Sequence, residues 1–74
     1  MSYDIGKELK YHREVNGYTQ IDLAKATGIS QQKISYIESG KHSPSIDICI
    51  KLADFYGISI DELVGRDLPD IKGN

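Results

Sequence analysis

Two adjacent glutamines, Gln31 and Gln32, have side chains whose hydrogen-bonding groups are suited to recognising a base. A glutamine amide donates and accepts hydrogen bonds at the same time, so it can pair with adenine through N6 and N7. Ser35 and Tyr36 each follow one of these glutamines at a distance of four residues, the spacing of neighbours on a helix face. On an arbitrary helix such glutamines are ordinary solvated residues. Whether these two can contact a base depends on the elements that position them.

Other reactive side chains are too scattered to form a metal or catalytic centre. Cys49 is the single cysteine, which excludes an intramolecular disulfide, and two distant histidines do not complete a zinc-ligand spacing with it. We expect Cys49 in the core and His12 on the surface of the first helix. Asp61 and Glu62 are explained as helix-start residues, and the chain has neither a phosphate loop nor a nucleophile elbow. The sequence therefore predicts no enzyme activity, no metal and no cofactor.

The size of the chain, 74 residues, allows one domain with one core. Its 39% hydrophobic and 27% charged residues are typical of soluble globular proteins. The polar start at residues 1–4 does not resemble a secretion signal, and no apolar run is long enough to cross a bilayer. We therefore expect a cytoplasmic protein without a membrane partner.

Charge is distributed unevenly between the two halves of the chain. The net charge of −2 argues mildly against a nucleic-acid partner, because such proteins are usually basic. Residues 1–42, however, contain six Lys/Arg and five Asp/Glu, whereas residues 43–74 contain three and six. This asymmetry is compatible with one face that meets phosphate, although it does not establish such a face.

Glycines and one proline divide the chain into five segments with helical periodicity. The predicted helices run from Asp4 to Asn16, from Thr19 to Gly28, from Gln31 to about Ser39, from Ser45 to Tyr56, and over a short stretch that Ser59 and Glu62 open as a capping box. The predicted all-α domain covers residues 1–64. Residues 65–74 are predicted to be a flexible tail or the start of a linker.

The second and third predicted helices have the pattern of a helix-turn-helix. Two steeply crossing helices need a small residue where they approach, and Ala24 occupies that position. The turn needs a residue that tolerates the left-handed conformation, and Gly28 follows four positions later. An apolar residue must then face inward from the next helix, and Ile34 does so. Each requirement is weak alone, but the three together are a strong indication.

In this register the sequence resembles the Cro/C1-type, or XRE-like, helix-turn-helix family, which includes lambdoid phage repressors and many bacterial regulators. The resemblance covers Ile5 to Val64. It rests on Ile5, Leu9 and Arg13; Gly17 to Gln20; Leu23 and Ala24; Gly28 to Ser30; Ile34 and Ser35; Glu38; Gly40; Pro44 and Ser45; Leu52 and Ala53; and Gly57 to Leu63. The resemblance implies a compact five-helix domain that regulates transcription, most simply as a repressor at a double-stranded DNA operator.

The resemblance also implies roles for individual residues of the third helix, which would enter the major groove. The expected base contacts are Gln31, Gln32 and Ser35. Tyr36 joins them because it lies one turn from Gln32, where it could pack against a thymine methyl; the alternatives are a phosphate contact and simple exposed surface. The expected phosphate contacts are Gln20, Lys33, Lys41 and Ser43, with Arg13 sharing a phosphate and His42 joining when protonated. Gln20 would also brace the first glutamine of the recognition helix.

Arg13 and Glu38 are expected to have a structural role. In the family a matching pair ties the first helix to the end of the recognition helix, half buried. We therefore interpret both residues as structural, together with Ala24, Gly28 and Ile34.

The fourth helix is apolar around most of its circumference, so it must be central to the core or meet a partner. Ile48 and Phe55 lie seven residues apart along one side, and they either enlarge the core or form part of a dimer surface. We favour the dimer surface. The expected assembly is a nucleoid-associated homodimer, at least on DNA. The alternative is a protein-interaction module, such as an antitoxin or a domain that binds another regulator as partner or antagonist.

Overall fold

The chain is described by a computed structural model that covers residues 4–64. Five α-helices and no strand make up this part of the chain: α1 (Ile5–Val15), α2 (Gln20–Thr27), α3 (Gln31–Glu38), α4 (Ile46–Tyr56) and α5 (Ile60–Val64). The predicted all-α class is confirmed, and the first four helices end within one residue of the predicted limits. The predicted tail at residues 65–74 lies outside the described residues.

Side-chain caps determine where the first four helices begin. The N-cap residues are Asp4, Thr19, Ser30 and Ser45, and each accepts a hydrogen bond from a backbone amide of the first turn. Such a cap stabilises a helix by about 1 kcal/mol. The short α5 begins with the predicted capping box, because the Glu62 amide donates to the Ser59 hydroxyl at 3.1 Å and the Ser59 amide donates to the Glu62 carboxylate at 3.1 Å.

The cap of α2 is reciprocal and also affects an acidic side chain. The amide of Asp22 donates to the Thr19 hydroxyl at 3.0 Å, while the amide of Thr19 donates to the Asp22 carboxylate at 3.2 Å. The hydrogen bond from the Thr19 backbone lowers the pKa of Asp22 below its usual range. The stabilisation that the ionised Asp22 gives to this cap is therefore present near neutral pH, and it is lost as pH falls through the lowered pKa.

A single core lies between the helices. Its buried apolar residues are Leu9, Leu23, Ile29, Ile34, Ile37, Cys49, Leu52, Ala53 and Leu63. The inward position predicted for Ile34 is confirmed, and Ile37 of the same helix is buried as well. The core thus holds α3 from its buried side, which leaves the opposite side of this helix to the solvent.

His12, which was expected on the surface of α1, makes a long-range contact that the sequence did not indicate. Its imidazole is half-buried, and Nε2 lies 2.9 Å from the carbonyl oxygen of Glu62. Because a carbonyl oxygen can only accept, Nε2 carries the hydrogen and donates it. The contact joins α1 to α5 across 50 positions of sequence, and helical periodicity within α1 could not have indicated it.

The hydroxyl of Tyr56 is buried and has no hydrogen-bond partner among residues 4–64. Burial raises the pKa of Tyr56 to about 12 from its usual 10, although the nearby guanidinium of Arg13 opposes this shift. The folded state therefore favours the neutral phenol more strongly than the unfolded chain does. The corresponding stabilisation is fully present below pH 10 and is lost as pH rises through the folded pKa of about 12.

We expect Tyr56→Phe to leave the free energy of unfolding at pH 7 unchanged or slightly higher, since it removes an unpaired buried hydroxyl. Above pH 10, the variant should lose less stability than the wild-type chain. Urea denaturation at a series of pH values measures both effects. Tyr11→Phe is the matched control, because Tyr11 is exposed and its replacement should not change the alkaline loss. Parallel alkaline losses in wild type and Tyr56→Phe would contradict the assignment.

The fold of residues 4–64 has neither a membrane-spanning helix nor a metal-binding cluster. None of its helices is both long and apolar enough to span a membrane. Within the same residues, no group of three or more His, Cys, Asp or Glu side chains comes together as a metal would require.

Candidate nucleic-acid interface

The turn between α2 and α3 is held by its own short-range hydrogen bonds. Gly28 adopts the left-handed conformation with φ +80°, as the sequence predicted, and its amide donates to the Ala24 carbonyl at 2.9 Å. The Thr27 hydroxyl donates to the Leu23 carbonyl at 2.7 Å and accepts from the Ile29 amide at 3.2 Å. Sequence reasoning missed this role of Thr27. The turn and its buried Ile29 fix the direction in which α3 leaves α2.

The N-terminal half of α3 presents polar side chains to the solvent. Gln31, Gln32 and Lys33 are exposed, whereas Ser35 and Tyr36 are half-buried. Of the residues predicted to read bases, Gln31 and Gln32 therefore occupy the solvent side of the first turn, and Ser35 and Tyr36 are partly covered one turn later. Helix N-termini attract anions, since their backbone amides are not used within the helix.

Tyr36 connects α3 to the loop that follows it, residues 39–45. Its hydroxyl accepts a hydrogen bond from Nε2 of Gln32 at 3.1 Å. Its ring meets the His42 ring edge to face at 4.9 Å, and Nζ of Lys41 lies 5.0 Å from the ring centroid. Its carbonyl oxygen accepts from the amides of Lys41 and His42 at 2.8 and 3.1 Å. Sequence reasoning did not anticipate these contacts.

A buried ion pair joins α1 to the C-terminal end of α3. Arg13 donates from Nε and Nη2 to the two carboxylate oxygens of Glu38 at 2.7 and 2.9 Å, and from Nη1 to the Tyr18 carbonyl at 2.8 Å. The two side chains are 10% and 6% exposed, so the pair is more deeply buried than expected. The hydrogen bonds to Glu38 raise the pKa of Arg13, whose guanidinium stays charged. The structural interpretation of Arg13 and Glu38 agrees with this geometry.

The side chain of Gln20 bonds a different partner from the one that the resemblance implied. Its Nε2 donates to the Glu38 carboxylate at 3.1 Å and thereby extends the buried ion pair. The brace to Gln31 that the resemblance implied is absent from the hydrogen bonds of residues 4–64. Both glutamines nevertheless line one open groove between the starts of α2 and α3.

Comparison with known proteins identifies the arrangement of α2 and α3. A family model described as Helix-turn-helix matches residues 9–63. The chain belongs to the helix-turn-helix family. This confirms the family that the sequence predicted.

The relatives of this helix-turn-helix chain include several named regulators. An uncharacterized HTH-type transcriptional regulator of Methanocaldococcus jannaschii is 45% identical over 56 residues, which cover 76% of this chain and 85% of the relative. The cryptic phage CTXphi transcriptional repressor RstR of Vibrio cholerae is 39% identical over 62 residues, 84% of this chain and 55% of the repressor. This chain therefore spans about half the length of RstR.

A solved structure is similar to the helix-turn-helix fold along almost the whole chain. The crystal structure of a transcriptional regulator from Listeria innocua has a TM-score of 0.74 and 25% sequence identity, with coverage of 97% of this chain and 70% of the other. The predicted class, a DNA-binding transcriptional regulator with an all-α helix-turn-helix fold, is confirmed.

The two residues favoured as a dimer surface of the helix-turn-helix domain pack against its core. Ile48 is half-buried among core side chains, and the Phe55 ring lies 5.3 Å from the Tyr18 ring. This packing agrees with the other possibility, that these residues enlarge the core. The large apolar residues that α4 exposes are instead Ile46 and Ile50, at 64% and 43% exposure.

Proposed function

We propose that this domain binds a double-stranded DNA operator with α3 in the major groove and represses a nearby promoter. The observation that carries the proposal is the exposure of the Gln31 and Gln32 amides on the first turn of α3, whose opposite side Ile34 and Ile37 hold in the core. A rigidly held helix with amides facing outward suits adenine, because each amide can bond N6 and N7 together. Ser35 contributes a further hydroxyl on the same helix.

The proposed phosphate contacts lie on both sides of the base-reading residues. Lys33, Lys41 and Ser43 are exposed, and Gln20 stands at the N-terminus of α2, where backbone amides favour an anion. Contacts of this kind supply affinity and register without reading sequence. Arg13 is occupied by Glu38 and Tyr18, so its main role in this proposal is to hold α1 against α3.

We further propose a homodimer on DNA, in which two copies read half-sites one helical turn, about 34–36 Å, apart. The exposed face of α4 is compatible with self-association. In an antiparallel pair of α4 helices, Ile46 of one copy would meet Ile50 of the other, and Asp47 would meet Lys51. The same patch on both copies is then self-complementary, as a two-fold interface requires. A nucleoid-associated protein of the cytoplasm without enzymatic activity is consistent with this role.

The proposal is tested by selecting binding sites from a random duplex pool and then measuring affinities for the selected and a random duplex. We expect an inverted repeat. Gln31→Ala and Gln32→Ala should each weaken binding to it by about 1–3 kcal/mol, with little change on random DNA. Lys41→Ala is the matched control on the phosphate side. It should weaken binding to both duplexes alike and reduce the slope of log affinity against log salt by about 0.9.

Two outcomes would count against DNA readout. Equal losses on both duplexes in the glutamine variants would show that these amides do not read bases. No enrichment at low salt would favour the protein-interaction alternative, which has one observation in its support: the chain is 32% identical to 63 residues of the antitoxin PezA of Streptococcus pneumoniae, although these are 40% of that protein. The exposed face of α4 would then be the first surface to alter in a partner-binding assay.

A further inference from the structure

We infer that Tyr36 is a positioning residue that couples the base-reading amide of Gln32 to the phosphate-facing side chain of Lys41. This inference rests on the proposed DNA-binding function and deepens it. The sequence suggested a direct base contact for Tyr36. Its hydroxyl and its ring, however, are engaged within the domain by Gln32, Lys41 and His42.

The hydroxyl of Tyr36 determines how the Gln32 amide is presented. Gln32 Nε2 donates one of its two hydrogens to Tyr36 at 3.1 Å. The amide retains one N–H and the acceptor oxygen Oε1, which are the groups that adenine N7 and N6 require. A free glutamine samples several rotamers and both amide orientations, and it must lose this freedom on binding. A glutamine held by Tyr36 has lost part of that freedom before DNA arrives.

The ring of Tyr36 contacts two residues of the loop that follows α3, Lys41 and His42. Nζ of Lys41 lies 5.0 Å from the ring centroid, within the range of a cation–π contact, and the His42 ring packs edge to face at 4.9 Å. The backbone amides of the same two residues donate to the Tyr36 carbonyl. Lys41 and His42 are therefore tied to α3 through Tyr36, and the Lys41 cation is kept beside the surface that carries Gln32.

The two parts of the side chain can be separated by substitution. Tyr36→Phe removes the hydroxyl and keeps the ring, so it should release Gln32 and leave Lys41 in place. We expect it to lower affinity for the selected operator roughly threefold to tenfold, with no change on random DNA. Tyr36→Leu removes the ring as well. It should add a loss that is equal on both duplexes and that reduces the salt dependence of binding.

A double-mutant cycle tests the assignment to Gln32. If Tyr36 acts through this amide, Tyr36→Phe should have no further effect in a Gln32→Ala background. A full loss that persists in that background would show that the Tyr36 hydroxyl contacts DNA itself. Unchanged operator affinity in the single Tyr36→Phe variant would overturn the inference while leaving the proposed function intact. Thermal unfolding of each variant verifies that the half-exposed site tolerates the change.

A measurement on the free protein tests the inference about Tyr36 separately from the proposed DNA-binding function. In the NMR spectrum of the free protein, Tyr36→Phe should shift the side-chain amide resonances of Gln32 and leave those of the neighbouring Gln31 unchanged. Unmoved Gln32 resonances overturn the inference. If the wild-type chain shows no sequence preference, the proposed function fails, and the NMR comparison alone then decides whether Tyr36 orients this amide.

Discussion

Replacing Arg13 with methionine should lower the free energy of unfolding by about 3–5 kcal/mol, because it leaves the Glu38 carboxylate buried without its cation. The Glu38 side chain is 6% exposed, and its remaining partner is the neutral amide of Gln20 at 3.1 Å. The substitution also removes the hydrogen bond to the Tyr18 carbonyl. A domain of this size is stabilised by roughly 4–11 kcal/mol in total, so the loss is a large fraction of the whole.

Urea denaturation followed by circular dichroism measures this loss, and two variants define its origin. Arg13→Met/Glu38→Leu removes both charges, and it should recover at least about 2 kcal/mol relative to Arg13→Met, because apolar replacements can substitute for a buried pair. Glu14→Ala removes the exposed partner of Arg13 at 4.0 Å and should change stability by less than about 0.5 kcal/mol. If the double variant is no more stable than Arg13→Met, burial of an unpaired carboxylate is not the cause.

The positions of the helices could be predicted because their signals are local. Thr19, Ser30 and Ser45 each cap the turn that immediately follows them, and Gly28 and Gly57 adopt positive φ at the ends of their helices. A cap or a left-handed glycine depends on three or four neighbouring residues. Those neighbours are visible in the sequence, so the limits of the first four helices were predicted to within one residue.

The surface of α4 could not be predicted from its composition. The charged residues of α4, Asp47, Lys51 and Asp54, form one narrow exposed stripe, and apolar residues fill the rest of the helix. The spacing of the charges does not indicate which of the apolar residues beside the stripe are exposed. Which residues are covered depends on where the other helices and Tyr18 pack against it. That packing partly covers Ile48 and Phe55 and leaves Ile46 and Ile50 at the surface. The dimer role expected for Ile48 and Phe55 stays a prediction, and the sequence did not single out Ile46 and Ile50 as the exposed apolar residues of α4.

The partners of polar side chains were predictable in one case and not in others. The Arg13–Glu38 pair was expected from the resemblance to a family, since an arginine and a glutamate at these two positions form a known tie. The hydrogen bond from His12 to the Glu62 carbonyl was not implied by the resemblance. Every residue has a main-chain carbonyl, so the sequence does not indicate which one accepts. Tyr36 was noticed for its spacing of four residues from Gln32, whereas its contacts with Lys41 and His42 depend on how residues 40–42 fold back.

Glycines show the same distinction between local and long-range constraints. Gly28 was recognised because a turn between two helices needs positive φ at that position. A Cβ added there would meet no atom within 4 Å. Gly6 carries no comparable signal, because it lies within the first turn of α1 and interrupts no pattern. Its importance comes from α3, which crosses it closely: an added Cβ would overlap the carbonyl oxygen of Ile37 and lie 3.2 Å from that of Glu38.

We therefore expect Gly6→Ala to lower the free energy of unfolding by about 3 kcal/mol, the upper end of the range for overpacking. Helix propensity alone would favour alanine over glycine by about 0.5–1 kcal/mol, so the sign of the effect decides which influence dominates. The obstacle is backbone rather than a flexible side chain, and Ile37 is fixed in the core at 3% exposure. Neither helix can yield without opening the contact between α1 and α3.

Comparison with Gly28→Ala makes this prediction specific. At Gly28, alanine has free space but must adopt a left-handed conformation, which costs about 1–2 kcal/mol. The substitution at the position without a turn signal should thus be the more destabilising of the two in urea denaturation. Lys10→Ala, on the exposed side of α1, should change stability by less than about 0.5 kcal/mol. If Gly6→Ala instead stabilises the chain, α1 and α3 lie further apart than described, and the buried tie between Arg13 and Glu38 must be longer as well.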